Sequence, residues 1–270
     1  MYQYVDNRKY FKTDDENQNI RYVFPLDNDE IDRLQTQHFI QKHVWGGNFS
    51  APIESILSNE NSKILDVGCG TGVWTLDMAS EFTKPKFFGV DIEPLYPAEI
   101  KPENVQFVNA NVLTGLPFED NTFDFVYMRF MLFAFTIADW ERAVSELIRV
   151  TKVGGFIEIM ENDIQWYNEN PFCNSVRTTI VEGLKNQRNM ELIISPILPK
   201  ILAKSMVAVG DTNFVNNTSS SAAAAKNLKK AMSEIGFKES EWNATVDTCL
   251  KQLEDSKAFD KIHRFWVMKQ

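Results

Sequence analysis

The stretch Leu65-Asp66-Val67-Gly68-Cys69-Gly70-Thr71-Gly72 restricts the fold of this chain more than any other segment. It follows a short apolar run, Lys63 to Val67. It precedes Val73 to Phe82, where Trp74, Met78 and Phe82 fall on one helical stripe. Glycines at such a strand-to-helix junction let main chain approach a ligand with no Cβ in the way. The helix N-terminus that follows offers N–H groups and a partial positive charge to a carboxylate or phosphate. A dinucleotide fingerprint, G-x-G-x-x-G, would put its third glycine at position 73. This chain has Val73 there and Gly72 one place earlier. With the acidic Asp66 just before the loop, that spacing disfavours NAD.

Strand and helix patterns alternate after the loop. Lys86–Val90, Val105–Val108, Phe123–Met128 and Phe156–Met160 read as strands, and Trp140–Val150 as a helix ended by the Gly154-Gly155 turn. Such alternation predicts βαβ units, an α/β chain with a Rossmann-like doubly wound sheet covered on both faces. Beyond Met160 the pattern breaks. Residues 162–205 read as helical, punctuated by Pro171, Pro196 and Pro199, and Met206–Val209 as a strand. Ser219-Ser220-Ser221 offers caps for a helix over Ala222–Ile235, Glu241–Leu253 is another helix, and Ile262–Met268 is an antiparallel last strand. Residues 1–30 read as loop or arm, followed by a capped helix carrying Ile31, Leu34, His38 and Phe39. The expected division is therefore an N-terminal arm with lid helices (1–61), a ligand-binding Rossmann-like core (62–161), a helical cap or substrate segment (162–205), and C-terminal strands and helices completing the sheet (206–270).

Lys and Arg total 28 against 37 Asp and Glu, a formal charge of −9, which lacks the basic footprint of a nucleic-acid binder and suits no anionic membrane. A small neutral or cationic partner fits that charge better. The N-terminal residues show no apolar signal-peptide core, and no stretch reaches the about 20 apolar residues of a membrane span. Three cysteines, Cys69, Cys173 and Cys249, are odd in number and widely spaced. They predict a reducing, cytoplasmic setting, or a nuclear one for a regulator.

Asp91 ends the second strand about 20 residues beyond the loop, where doubly wound nucleotide folds place a ribose-binding acid. With that residue in place, ILDVGCGTGVW, FFGVDIEP, FVNANVLTGLPFEDNTFDFVYMR and RVTKVGGFIEIME together resemble the class I S-adenosylmethionine-dependent methyltransferases. YVFPLDNDEIDRLQTQHFI, VWTLDMA, DIEPLYP and the ending DSKAFDKIHRFWVM are similar to the fungal LaeA-like group of that family. The resemblance implies S-adenosyl-L-methionine as cofactor. Asp66 and the main chain of Gly68, Cys69, Gly70 and Gly72 would hold its methionine end, Asp91 its ribose, with Ile92 against the adenine. Asn111 and the Val112 N–H would face the adenine edge, and Met128 and Arg129 would lie beside the sulfonium. Relatives often carry Asp at position 111, and an amide keeps a carbonyl acceptor there.

A methyl acceptor with O–H or N–H needs one base at most, and His38, His43, Glu161 and Asp163 are the candidates near the strand ends. His38, on the apolar side of its helix, reads equally as a base and as a hydrogen-bonded structural histidine. Arg129 either binds an acidic acceptor or pairs with Asp66 or Glu161. Phe133 and Phe135 read as core, while Trp166 and Tyr167 divide evenly between core and acceptor pocket. No metal-binding pattern occurs. The expected function is methyl transfer to a small-molecule acceptor. The alternative is a LaeA-like regulator working through protein partners or a protein substrate. Self-association is left open.

Overall fold

The computed structural model describes residues 2–12, 21–203, 206–217 and 224–270. The chain opens with a hairpin, β1 (Tyr2–Val5) and β2 (Arg8–Phe11), its turn held by Asp6 and Asn7 at positive φ. The sequence reading had only an arm here, because strands of four residues, YQYV and RKYF, are too short to show a period. Helix α1 (Asn28–Trp45) follows, capped by the Asp27 side chain on Glu30 N–H and closed by Gly46 at φ 66°. A short α2 (Glu54–Leu57) leads into the alternating core of β3 (Lys63–Val67), α3 (Val73–Glu81), β4 (Lys86–Asp91), β5 (Val105–Asn109), β6 (Phe123–Arg129), α4 (Ile137–Val150) and β7 (Thr151–Asn162).

Seven strands form one sheet in the order β5-β4-β3-β6-β7-β9-β8. All neighbours from β5 to β7 are parallel, and β9 (Phe259–Lys269) runs antiparallel to both β7 and β8 (Met206–Asn217). The chain runs outward from β3 to β5 and returns to β6 on the other side of β3, so the strand order switches between β3 and β6. That crevice, at the carboxyl ends of the strands, is where open α/β sheets bind ligands.

Burial on both faces explains the near-continuous apolar strands. On one side Leu65, Val67, Val126, Met128, Ile157 and Ile159 pack under α4, whose Trp140, Ala143, Val144 and Leu147 are fully covered. On the other, Ile64, Phe87, Phe125 and Tyr127 meet Trp74 and Met78 of α3, with the Trp74 and Tyr127 rings stacked at 4.2 Å. A reciprocal capping box, Thr136 with Asp139, sets where α4 begins.

The segment after β7 departs from an all-helical reading. Only α5 (Pro171–Arg188) and α6 (Leu198–Leu202) are helical there. Between them, Asp163 holds the 194–195 turn by accepting from the Ile194 and Ser195 N–H groups and from Ser195 Oγ. Helices α7 (Lys229–Glu234) and α8 (Glu239–Asp255) complete the chain before β9, while the cap expected at Ser219–Ser221 lies outside the described residues. Among the described residues, no helix is long and apolar enough to cross a membrane.

Candidate active site

A cavity of about 160 Å³ opens over the carboxyl ends of β3, β4 and β6. Its floor includes Gly68, Cys69, Gly70 and Thr71 of the glycine loop, Asp91 and Ile92 beyond β4, and Asn111 and Val112 beyond β5. Its roof comes from the N-terminal region, which contributes Phe11, Arg21, Tyr22, Leu34, Gln37 and His38. Residues remote in sequence thus enclose one space, because α1 lies across the strand ends.

The glycine loop is tied to itself. Gly68 and Cys69 N–H both donate to Val90 O, at 2.8 and 3.0 Å, and Gly72 N–H donates to Cys69 O at 2.8 Å. Gly70 N–H donates to Asp91 Oδ2 at 2.8 Å. These N–H groups are therefore engaged within the protein, and the loop meets a ligand with bare Cα atoms and carbonyls.

Asp91 also accepts from Glu93 N–H through Oδ1 at 2.9 Å. Burial nevertheless raises its carboxyl to about 6, against main-chain bonds from Glu93, Gly70 and Ile92 that lower it. A carboxyl that keeps these fixed donors and still faces a cavity is poised to accept from hydroxyls. Asn111 differs from its expected use, since its Oδ1 accepts from Leu113 N–H at 2.9 Å and caps a short 3-10 turn, Val112–Thr114. The side chain retains its NH₂ donors for a neighbour.

Four of the expected site residues do not line the cavity. Asp66 lies beneath the loop, accepts from Thr75 Oγ1 at 2.7 Å, and is raised to about 6 by burial, with Arg129 opposing. Gly72 is required by packing: at φ 72°, a Cβ there would stand 2.6 Å from the Phe107 ring. Met128 is buried in the core under α4, because successive side chains of a strand face opposite ways and Arg129 takes the cavity side. Glu161 lines a neighbouring cavity instead.

His38 is 1% exposed and lines the main cavity. Arg129 Nη1 lies 3.2 Å from its Nδ1, and Asp77 Oδ2 lies 3.1 Å from its Nε2. A guanidinium can only donate, so Nδ1 is the acceptor and the ring proton sits on Nε2, donated to Asp77. Burial first, then the Arg129 charge, lower His38 to about 4. Both nitrogens are occupied in a neutral ring, which leaves no basic site for a substrate. His43 is exposed on α1, and Asp163 is taken up by the 194–195 turn.

Phe130 is a site residue that sequence patterning did not single out for its backbone. It adopts φ 56°, a left-handed conformation that a bulky L residue rarely holds, while its N–H donates to Met160 O. The Phe130 side chain lines both cavities. Phe135, read as core, also reaches the main cavity, and Phe133 and Trp166 reach the second. Tyr167 instead stacks on Phe259 at 4.9 Å.

Residues 64–155 match the family described as methyltransferase domain. Over these residues the chain is similar to a methyltransferase domain. The chain is 35% identical over 153 residues to an N-methyltransferase, verN, of Clonostachys rogersoniana, covering 55% of this chain and 53% of that protein. It is 28% identical over 159 residues to the secondary metabolism regulator laeA of Coprinopsis cinerea, covering 58% of this chain and 38% of that protein. The chain spans about half or less of the length of these curated relatives. The fold is similar to that of a phosphoethanolamine N-methyltransferase 2 from Haemonchus contortus solved with phosphomonomethylethanolamine and S-adenosylhomocysteine. The TM-score is 0.52 at 19% identity, over 89% of this chain and 58% of that one. The domain's edges, within β3 and β7, enclose the loop, Asp91, Asn111 and Arg129, while α1 and the second cavity's outer wall lie outside it.

Proposed function

We propose that the chain is an S-adenosyl-L-methionine-dependent methyltransferase that acts on a small molecule. The observation that carries this reading is the contact between the glycine loop and the acid of β4, Gly70 N–H to Asp91 Oδ2, on the floor of a roofed cavity. The cavity's chemistry fits the cofactor. Asp91 would accept from the ribose hydroxyls, Ile92 and Val112 would flank the adenine, and the Asn111 NH₂ would donate to a ring nitrogen. Arg129, held by His38 at the loop end of β6, would take the methionyl carboxylate with its remaining donors.

When bound, the cofactor supplies a methyl group on a sulfonium, an already activated leaving group. The protein's work is alignment and exclusion of water, which can contribute roughly 7–11 kcal/mol of barrier lowering. The N-terminal roof excludes water, and the rigid β6 end with Phe130 fixes the boundary between donor and acceptor. The three buried, free cysteines suit a reducing compartment such as the cytoplasm.

A second reading, a regulator acting through protein partners, draws on the laeA relative. Such a protein needs a contiguous apolar docking patch. Among the described residues, the exposed large apolar side chains are a pair on β1 (Tyr2 and Tyr4), a pair on α1 (Phe39 and Ile40), and Ile100, Val153 and Phe172 singly, a distribution over five places in the chain that favours the small-molecule reading. Calorimetry tests it: S-adenosylhomocysteine should bind and NAD should not. Binding of NAD alone would overturn the reading.

A further inference from the structure

A second cavity, of about 70 Å³, adjoins the first and shares Tyr22, Leu34, Gln37 and Phe130 with it. Its walls are mostly aromatic and aliphatic: Tyr22 and Phe24 from the N-terminal region, Phe130 and Phe133 after β6, and Trp166 after β7. Arg33, Gln37, Asn162 and Glu161 add polar groups to this lining, and two buried polar atoms among the lining residues have no partner. Glu161, 1% exposed, has Oε1 engaged by Met131 N–H, with Leu132 N–H also donating to the carboxyl, while its Oε2 has no partner. Trp166, 6% exposed, has an indole N–H without an acceptor. A buried polar atom left without a partner costs about 1–3 kcal/mol, so two on one small cavity call for a ligand that satisfies both. The charged side chain on the opposite wall does not answer Glu161, because Arg33 is held by Glu30 through two bonds of 2.8 and 2.6 Å.

We infer that this second cavity is the methyl-acceptor site and that it takes a primary or secondary amine on an aromatic or otherwise apolar skeleton, its nitrogen against Glu161 Oε2. The inference rests on the methyltransferase reading. An ammonium is the partner that a buried, unanswered carboxylate lacks, and five aromatic side chains around it attract a cation over their faces. A phenolate or carboxylate acceptor would meet repulsion from Glu161 and from Asp163 nearby, whose charge also acts on Glu161. Burial raises the Glu161 carboxyl well above the ordinary carboxylate range; an ammonium against Oε2 favours the ionised form, and that carboxylate is then a better proton acceptor than an exposed glutamate.

The step then balances. The ammonium gives one proton to the Glu161 carboxylate and becomes a neutral amine with a free lone pair. That lone pair forms a bond to the methyl carbon as the carbon–sulfur bond breaks, its electrons passing to sulfur. Positive charge moves from sulfonium to methylammonium, and Glu161 later returns its proton to solvent. The Trp166 N–H donates to an oxygen or ring nitrogen elsewhere on the acceptor and fixes its orientation.

The test uses the full chain and two ligand sets, S-adenosylhomocysteine and three arylalkylamines (benzylamine, phenethylamine, tryptamine), each paired with its alcohol. With S-adenosylhomocysteine present, at least one amine should bind about tenfold tighter than its alcohol, the minimum expected of a charge-assisted bond. Glu161→Gln keeps an amide oxygen for Met131 and Leu132 and should bring the pair within about threefold of each other. Trp166→Phe should weaken amine and alcohol together. Circular dichroism and S-adenosylhomocysteine affinity report whether each variant is folded. Equal binding of amine and alcohol in the parent chain, or a preference that survives in folded Glu161→Gln, would overturn the inference and leave the methyltransferase reading standing. Loss of S-adenosylhomocysteine binding in the parent chain would overturn that reading instead.

Discussion

Arg129 donates from Nη1 to Nδ1 of His38 across 3.2 Å, joining the end of β6 to α1. The bond sets the tautomer of His38 and makes the ring a support for the guanidinium, with Asp77 behind it. His38→Gln should therefore weaken cofactor binding several-fold while leaving kcat within about threefold of the parent. A fall in kcat of about a hundredfold or more at saturating cofactor would make His38 the general base after all.

Burial of neutral His38 also ties stability to pH. Its folded value, about 4, lies below the unfolded 6.5, so the unfolded chain binds more protons between them. This contribution is complete above pH 6.5 and is lost as pH falls toward 4, by about 3 kcal/mol in all. Asp66 and Asp91, raised from 3.8 to about 6, act with the opposite sign across pH 4–6. The difference between parent and His38→Gln isolates the histidine. Urea unfolding should show the gap in stability narrowing from pH 7 to pH 4.5, and a constant gap would remove the neutral assignment.

Arg129→Ala separates the two ends of the cofactor. S-adenosylhomocysteine should lose about tenfold or more in affinity, whereas 5′-methylthioadenosine, which lacks the amino-acid end, should bind nearly as before. Equal losses for the two would place Arg129 elsewhere in the mechanism.

Asp91→Asn bears on the ribose. An ionised carboxylate accepts from both hydroxyls, and a protonated one gives up part of that capacity. Affinity for S-adenosylhomocysteine should rise with pH through about 6 in the parent and lose that bend in Asp91→Asn. Calorimetry at pH 5 and pH 7.5 makes the comparison.

Gly70 and Gly72 look alike in the sequence and should fail differently. Gly72→Ala combines a left-handed backbone, φ 72°, with a Cβ 2.6 Å from Phe107, and should cost about 2–5 kcal/mol of stability. Gly70→Ala, at φ 54° with no atom within 4 Å, should cost about 1–2 kcal/mol. Its larger effect should fall on cofactor affinity, because Gly70 lines the cavity and Gly72 does not.

The strands, the order of α3 and α4, and the placing of Asp91 were legible because period and spacing are local properties of the sequence. What Gly72 is for was not, since the ring that demands it, Phe107, lies on β5 and meets it only after the sheet forms. Assigning Met128 and Arg129 to one wall ignored an alternation the sequence did carry. His38 could be recognised as a buried histidine, but its neutrality depends on Asp77 and Arg129, which arrive from two other elements. Glu161 stood out in the sequence by its residue type, while its unanswered oxygen depends on the turn at Met131 and Leu132. The helical reading of 162–170 failed because Asp163 bonds to main chain some 30 residues away instead of to its own segment.

Tyr22, Leu34 and Gln37 border both cavities, so a single stretch of chain stands over the two compartments. With a cofactor in the first cavity and an acceptor in the second, both reactants would be aboard before turnover, and the kinetics expected of that arrangement are sequential, with no stable half-reaction.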